Sequence, residues 1–94
     1  MSEITVIARA KTKPGHEDAM ERALRENAEA SRCEAGCISY STLRGDEGVF
    51  MTVERWRSHS DFDAHMAAPH VQKLLSTIAP FIAEAPVITV LKEV

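Results

Sequence analysis

The chain has 94 residues, 45% of them hydrophobic and 27% charged, with a formal net charge of -3. That length holds one hydrophobic core, hence one domain over residues 1–94, and the lack of any basic cluster argues against a nucleic-acid binder. No apolar run approaches the roughly 20 residues that cross a bilayer, and MSEITVIARAK lacks the charged-then-apolar pattern of a secretory leader, so the expected location is cytoplasmic.

Ile4 to Lys11 alternates in pattern and is rich in β-branched residues at its start, which predicts a strand. Thr12-Lys13-Pro14-Gly15 is turn chemistry. A helix follows, with Glu17 and Asp18 suiting the dipole of its first turn and Ala19, Met20, Ala23, Leu24 and Ala28 forming an apolar stripe. It should stop before Gly36, where a positive φ is expected. Cys33 and Cys37 are too far apart for a C-x-x-C redox pair and lack the further ligands of a structural zinc site, so two separate thiols are expected.

Cys37 to Arg44 reads as the second strand, with Ile38, Tyr40 and Thr42 on one side. Gly45-Asp46-Glu47-Gly48 is a hairpin turn into the third strand, Val49 to Trp56, where Phe50, Thr52, Glu54 and Trp56 share a face. Ser58 and Ser60 are candidate N-caps for a short helix from Asp61 to about Ala67. Pro69 suits the first turn of another helix, whose stripe is Val71, Leu74, Leu75, Ile78 and Ile82. Pro80 demands a kink or an end near Ala79. Val87 to Lys92 is β-branched and makes the last strand.

This order predicts an α+β fold, a ferredoxin-like βαββαβ antiparallel sheet with helices on one face. The strands carry apolar residues on both faces, which a sheet half open to water should not. A second copy, packed sheet against sheet as a C2 homodimer, is the expected cover.

The richest stretch chemically is VERWRSHSDFDAHMAAPH, residues 53–70, with the only tryptophan and three of the four histidines. Glu54 and Trp56 point the same way on a strand, and Phe62, His65 and Met66 share one face of a helix. A carboxylate, an indole and an imidazole therefore converge where strand meets helix. His65 is the best general base by type, although a histidine on an apolar face is more often a hydrogen-bonded core residue. Glu54 needs a partner if buried, for which Arg9 or a second subunit is available. Trp56, Tyr40, Phe50, Phe62 and Phe81 are core residues that can also wall an aromatic pocket. His70 either closes that pocket or caps a backbone carbonyl. No histidine pair has helical metal-ligand spacing, so no metal site is expected.

Four stretches in order, VIARAKTKPGHED, EAGCISY, VERW and HMAAPHVQKLL, resemble the antibiotic biosynthesis monooxygenase family of small dimeric α+β barrel proteins, over nearly the whole chain. The nearest likeness is to its short quinol-monooxygenase-like members. The resemblance implies a monooxygenase that oxidises a quinol, polyphenol or anthrone-like aromatic with O2 and no cofactor. His65 and Glu54 would be catalytic, and Trp56, Tyr40, Phe62, His70, Phe81 and Thr52 would bind substrate. Thr52 stands where better-known anthrone oxygenases of the family carry Asn, and ITVIARA lacks the first-strand Asn of haem-degrading relatives. The alternatives are a non-catalytic small-molecule-binding dimer and the family branch that isomerises a small phosphorylated signalling sugar. That branch would need Arg9 or Arg55 to point inward.

Overall fold

The computed structural model describes residues 2–94. Its elements are β1 (Ile4–Thr12), α1 (Glu17–Arg32), β2 (Cys37–Arg44), β3 (Val49–Trp56), α2 (His59–Ala67), α3 (Pro69–Ile78) and, after a short 3-10 turn at Ala79–Phe81, β4 (Ile82–Leu91). The four strands form one antiparallel sheet in the order β2-β3-β1-β4. This is the ferredoxin-like α+β fold expected from the order of elements.

Register explains which side chains meet. One row across the sheet is Tyr40–Glu54–Val6–Val90, and the next is Thr42–Thr52–Ala8–Ile88. Both rows face the helices. The apolar side chains beneath those helices fall into two clusters. Ile4, Val6, Ala28, Tyr40, Trp56 and Phe62 pack at one end, and Ala10, Met20, Leu24, Phe50 and Ile78 at the other.

Several local expectations are corrected. In β2 the pairing steps from Cys37↔Trp56 to Ser39↔Arg55, so Ile38 is the extra residue of a bulge. Cys37, not Ile38, therefore packs on the core, and Ile38 is exposed. Gly36 does not have a positive φ; Gly15, Glu47 and Gly48 do. Gly36 is needed for closeness instead, because a Cβ there would collide with the Asp61 side chain. β4 begins at Ile82, five residues before the predicted start, and runs through Pro86. It pairs only with β1, and its register slips between Arg9 and Lys11, opposite Pro86; an edge strand with a bulge tolerates the missing N–H. Ile82 thus leaves the helical stripe for the sheet, and Leu75 of that stripe is exposed.

The caps follow from short polar side chains. Ser58 is the N-cap of α2, accepting from the Asp61 backbone N–H and donating to Asp61 Oδ2 at 2.9 Å. Pro69 opens α3 from an extended Ala68, and α3 ends at Ile78 just before Pro80. The two turns at Ser58 and Ala68 set α2 at the angle that aims His65 back at the sheet.

Candidate functional site

Between the two apolar clusters lies a cavity of about 90 Å³. Val6, Tyr40, Phe62 and Met66 line it from one cluster, and Met20, Leu24, Phe50 and Ile78 from the other. Its polar wall is Asn27, Tyr40, Thr52, Glu54 and His65. Arg9, Leu75, Pro86 and Ile88 also line it and are exposed, so its mouth opens between α3 and the β1–β4 edge.

Glu54 is buried at 3% exposure, and both carboxylate oxygens are held. Thr52 Oγ1 donates to Oε2 at 2.7 Å, and Trp56 Nε1 donates to Oε1 at 3.0 Å. All three residues come from one face of β3, where alternation stacks them in a line. The pairing of Glu54 with Arg9 raised by the sequence does not occur. Arg9 lies 3.9 Å from Glu84, and Arg55 donates to Glu3.

His65 is buried against Trp56, with ring centroids 4.5 Å apart. Its Nδ1 lies 2.6 Å from Glu34 Oε2, and its Nε2 lies 3.8 Å from Glu54 Oε1. A carboxylate oxygen only accepts, so Nδ1 carries the ring proton of the neutral imidazole and Nε2 keeps a free lone pair. Glu34, at the turn after α1, therefore orients the imidazole. His70 Nε2 lies 3.2 Å from the same Glu34 oxygen and 3.3 Å from Ser31 Oγ.

Tyr40 accepts from Asn27 Nδ2 at 3.1 Å. Burial, with Glu54 nearby, pushes the Tyr40 phenol well above its ordinary value, against the opposite pull of the polar side chains of Thr52, Asn27 and Ser31 around it. It stays a neutral hydroxyl. Asn27 Oδ1 is buried with no hydrogen-bond partner, on a residue that lines the cavity. Burial, then Glu34 and Glu54, raise the Cys37 thiol, so it is not primed as a nucleophile; both cysteines are free.

Of the eight residues singled out by sequence, His65, Glu54, Tyr40, Phe62 and Thr52 line the cavity and three do not. Trp56 stands behind the wall, fully buried, and touches the site through its bond to Glu54 and its packing on His65. His70 lies on the far side of His65, facing the α1–α3 groove. Phe81 packs in the distant cluster and stacks on His16, because the 3-10 turn carries it away from the β3 row. Two residues of the site escaped sequence reasoning. Asn27 had a visible signal, a polar residue in register with Met20, Leu24 and Ser31 on the buried stripe of α1. Glu34 had none beyond its place at the head of EAGCISY, 31 residues from its partner.

A family profile described as antibiotic biosynthesis monooxygenase matches residues 3–76. The Rv0793 protein of Mycobacterium tuberculosis, described provisionally as a monooxygenase, is 30% identical over 91 residues, covering 96% of this chain and 90% of that protein. Its solved structure has a TM-score of 0.93 to this fold at 29% identity, covering 99% and 96% of the two chains. PA3566 of Pseudomonas aeruginosa has a TM-score of 0.90 at 29% identity, covering 100% and 96%. A Nitrosomonas europaea protein reaches a TM-score of 0.94 at 24% identity, covering 98% and 90%, which speaks for the fold alone. With its profile matched from β1 through most of α3 and its fold shared end to end with these relatives, the chain belongs to the antibiotic biosynthesis monooxygenase family.

Proposed function

We propose that this chain is a cofactor-independent monooxygenase that oxidises an electron-rich phenol, a quinol or polyphenol, with O2. The observation that carries the reading is the 2.6 Å bond from His65 Nδ1 to Glu34, which leaves Nε2 as an unprotonated nitrogen beside a largely apolar cavity. A general base needs that combination of free lone pair, fixed orientation and restricted water.

In this mechanism the substrate hydroxyl gives its proton to His65 Nε2. Glu34 and Glu54, on the two sides of the ring, stabilise the resulting imidazolium. The phenolate then transfers one electron to O2, giving a phenoxyl radical and superoxide. These combine at a ring carbon as a peroxide, and loss of water leaves the quinone. A phenol plus O2 becomes a quinone plus H2O, and a hydroquinone plus O2 becomes a hydroxyquinone plus H2O, so atoms and electrons balance without a further reductant. Tyr40, as a neutral hydroxyl, and Asn27, with its unpartnered amide oxygen, supply the remaining polar contacts.

Size sets the substrate class. The cavity of about 90 Å³ is below the roughly 150 Å³ that accepts benzene and far below the roughly 300 Å³ of small ligand sites. Met20 and Met66 in the wall are unbranched and can yield to a ring. A single-ring hydroquinone is therefore favoured over a tricyclic anthrone. A homodimer belongs to the same reading. Leu43, Val87 and Leu91 are exposed, and Ile7, Met51 and Val53 only partly buried, on the sheet face away from the helices. The isomerase branch finds less support, because Arg9 and Arg55 pair with Glu84 and Glu3.

The test is oxygen uptake by chelator-treated protein given single-ring hydroquinones and anthrones, against autoxidation controls. The expected result is uptake with hydroquinones that falls about 10²-fold or more in His65→Ala. Uptake unchanged in His65→Ala would remove His65 from the mechanism, and none on any hydroquinone would turn the reading toward a binding protein.

A further inference from the structure

Glu34 lies in the turn after α1, His65 in α2 and His70 at the start of α3, and these three elements bring one ligand atom each within 4.8 Å of the others. Glu34 Oε2 is 2.6 Å from His65 Nδ1 and 3.2 Å from His70 Nε2. Around a tetrahedral zinc with bonds of about 2.0–2.1 Å, ligand atoms sit roughly 3.3 Å apart. The Glu34–His70 distance already meets this. The Glu34–His65 distance must open by about 0.7 Å to reach that tetrahedral spacing, a small rotation for a glutamate on a turn.

We propose that Glu34, His65 and His70 form a three-ligand site for a divalent transition metal of the zinc type. Two imidazoles and a carboxylate suit zinc, copper or nickel better than magnesium or calcium, which prefer all-oxygen shells. The side chains of Glu34 and His70 are 21% and 26% exposed, so a hydrated ion has a path in, while His65 at 4% anchors the inner side. Glu54 Oε1, 3.8 Å from His65 Nε2, stands where a carboxylate supports a metal-bound imidazole from behind. The charge of the ion is balanced by these two carboxylates, one a ligand and one behind it. Helical spacing could not reveal the site, because no two of the ligands lie on one helix.

The site has a consequence for His65 that rests on the oxygenase reading. A metal on Nδ1 leaves the ring proton on Nε2, so the nitrogen facing Glu54 and the cavity becomes a donor and ceases to be a base. Metal binding and proton abstraction at His65 exclude each other.

The experiment is calorimetric titration of tag-free, chelator-treated protein with Zn²⁺, alongside visible absorption with Co²⁺. One Zn²⁺ per chain is expected, together with a tetrahedral Co²⁺ spectrum. Loss of a positioning partner behind a ligand costs about 10–100-fold in affinity, so loss of a ligand in His70→Ala or Glu34→Gln should cost at least that. His70→Ala is the primary variant because the side chain is partly exposed, with far-UV circular dichroism confirming its fold. His59→Ala and Cys33→Ser should leave binding unchanged. No binding, binding that survives His70→Ala, or binding lost in His59→Ala or Cys33→Ser would overturn the proposal. None of these readouts uses oxygen uptake, so a failed oxygenase assay leaves the metal test standing.

Discussion

At the scale of the residue, the site is built around buried polar groups that satisfy one another. Glu54 is tolerable in the core because Trp56 and Thr52 donate to its two oxygens. Trp56→Phe keeps the aromatic packing and removes one donor. It should destabilise the fold by about 1–3 kcal/mol, the cost of a buried acceptor left short, measured by urea denaturation. Tyr40 gives a pH signature. Its phenol is raised in the fold and ordinary in the unfolded chain, so both states hold the proton below about pH 10 and stability is unaffected there. Above that pH the unfolded chain ionises first, and stability falls as pH rises toward the folded value. Tyr40→Phe should flatten that alkaline slope relative to the parent in unfolding curves collected from pH 9 upward.

At the scale of the element, α2 decides where His65 points, and two small contacts fix α2. Ser58 caps it, and Gly36 lets Asp61 of its first turn sit against the backbone before β2. Gly36→Ala should cost about 1–3 kcal/mol by overpacking, and Ser58→Ala about 1 kcal/mol by loss of the cap, both read by urea denaturation. The strand order, the helix stripes and the Glu54–Trp56 alignment were legible because period 2 and period 3.6 patterns are local. The bulge at Ile38, the passage of β4 through Pro86 and the close approach at Gly36 were not. Each depends on what a distant segment does: Trp56 for Ile38, β1 for Pro86, Asp61 for Gly36. The same limit hid Glu34, whose meaning comes from a helix two strands further along the chain.

At the scale of the whole molecule, the sheet has one face under helices and one face bare. The bare face carries the row Leu43–Met51–Arg9–Val87 next to the row Ser41–Val53–Ile7–Thr89. If a second copy covers it, Met51→Lys should shift the mass measured by analytical ultracentrifugation from dimer to monomer, and an unchanged mass would place the interface elsewhere. Among the described residues no helix is long and apolar enough to cross a membrane. The cavity mouth also opens toward the β1–β4 edge, where Ile88 and Val90 remain exposed. Covering the bare face with another chain and closing the mouth thus involve the same strand, and substrate affinity should weaken in the monomeric variant.

The proposed chemistry rests on one proton, the one on His65 Nδ1. Long-range ¹H–¹⁵N correlation spectra of the neutral imidazole distinguish the two tautomers directly, without any substrate. The expected result is His65 as the Nδ1–H tautomer with an unprotonated Nε2, reverting toward the ordinary Nε2–H mixture in Glu34→Gln. An Nε2–H tautomer in the unmodified protein would contradict it, because no free lone pair would then face the cavity.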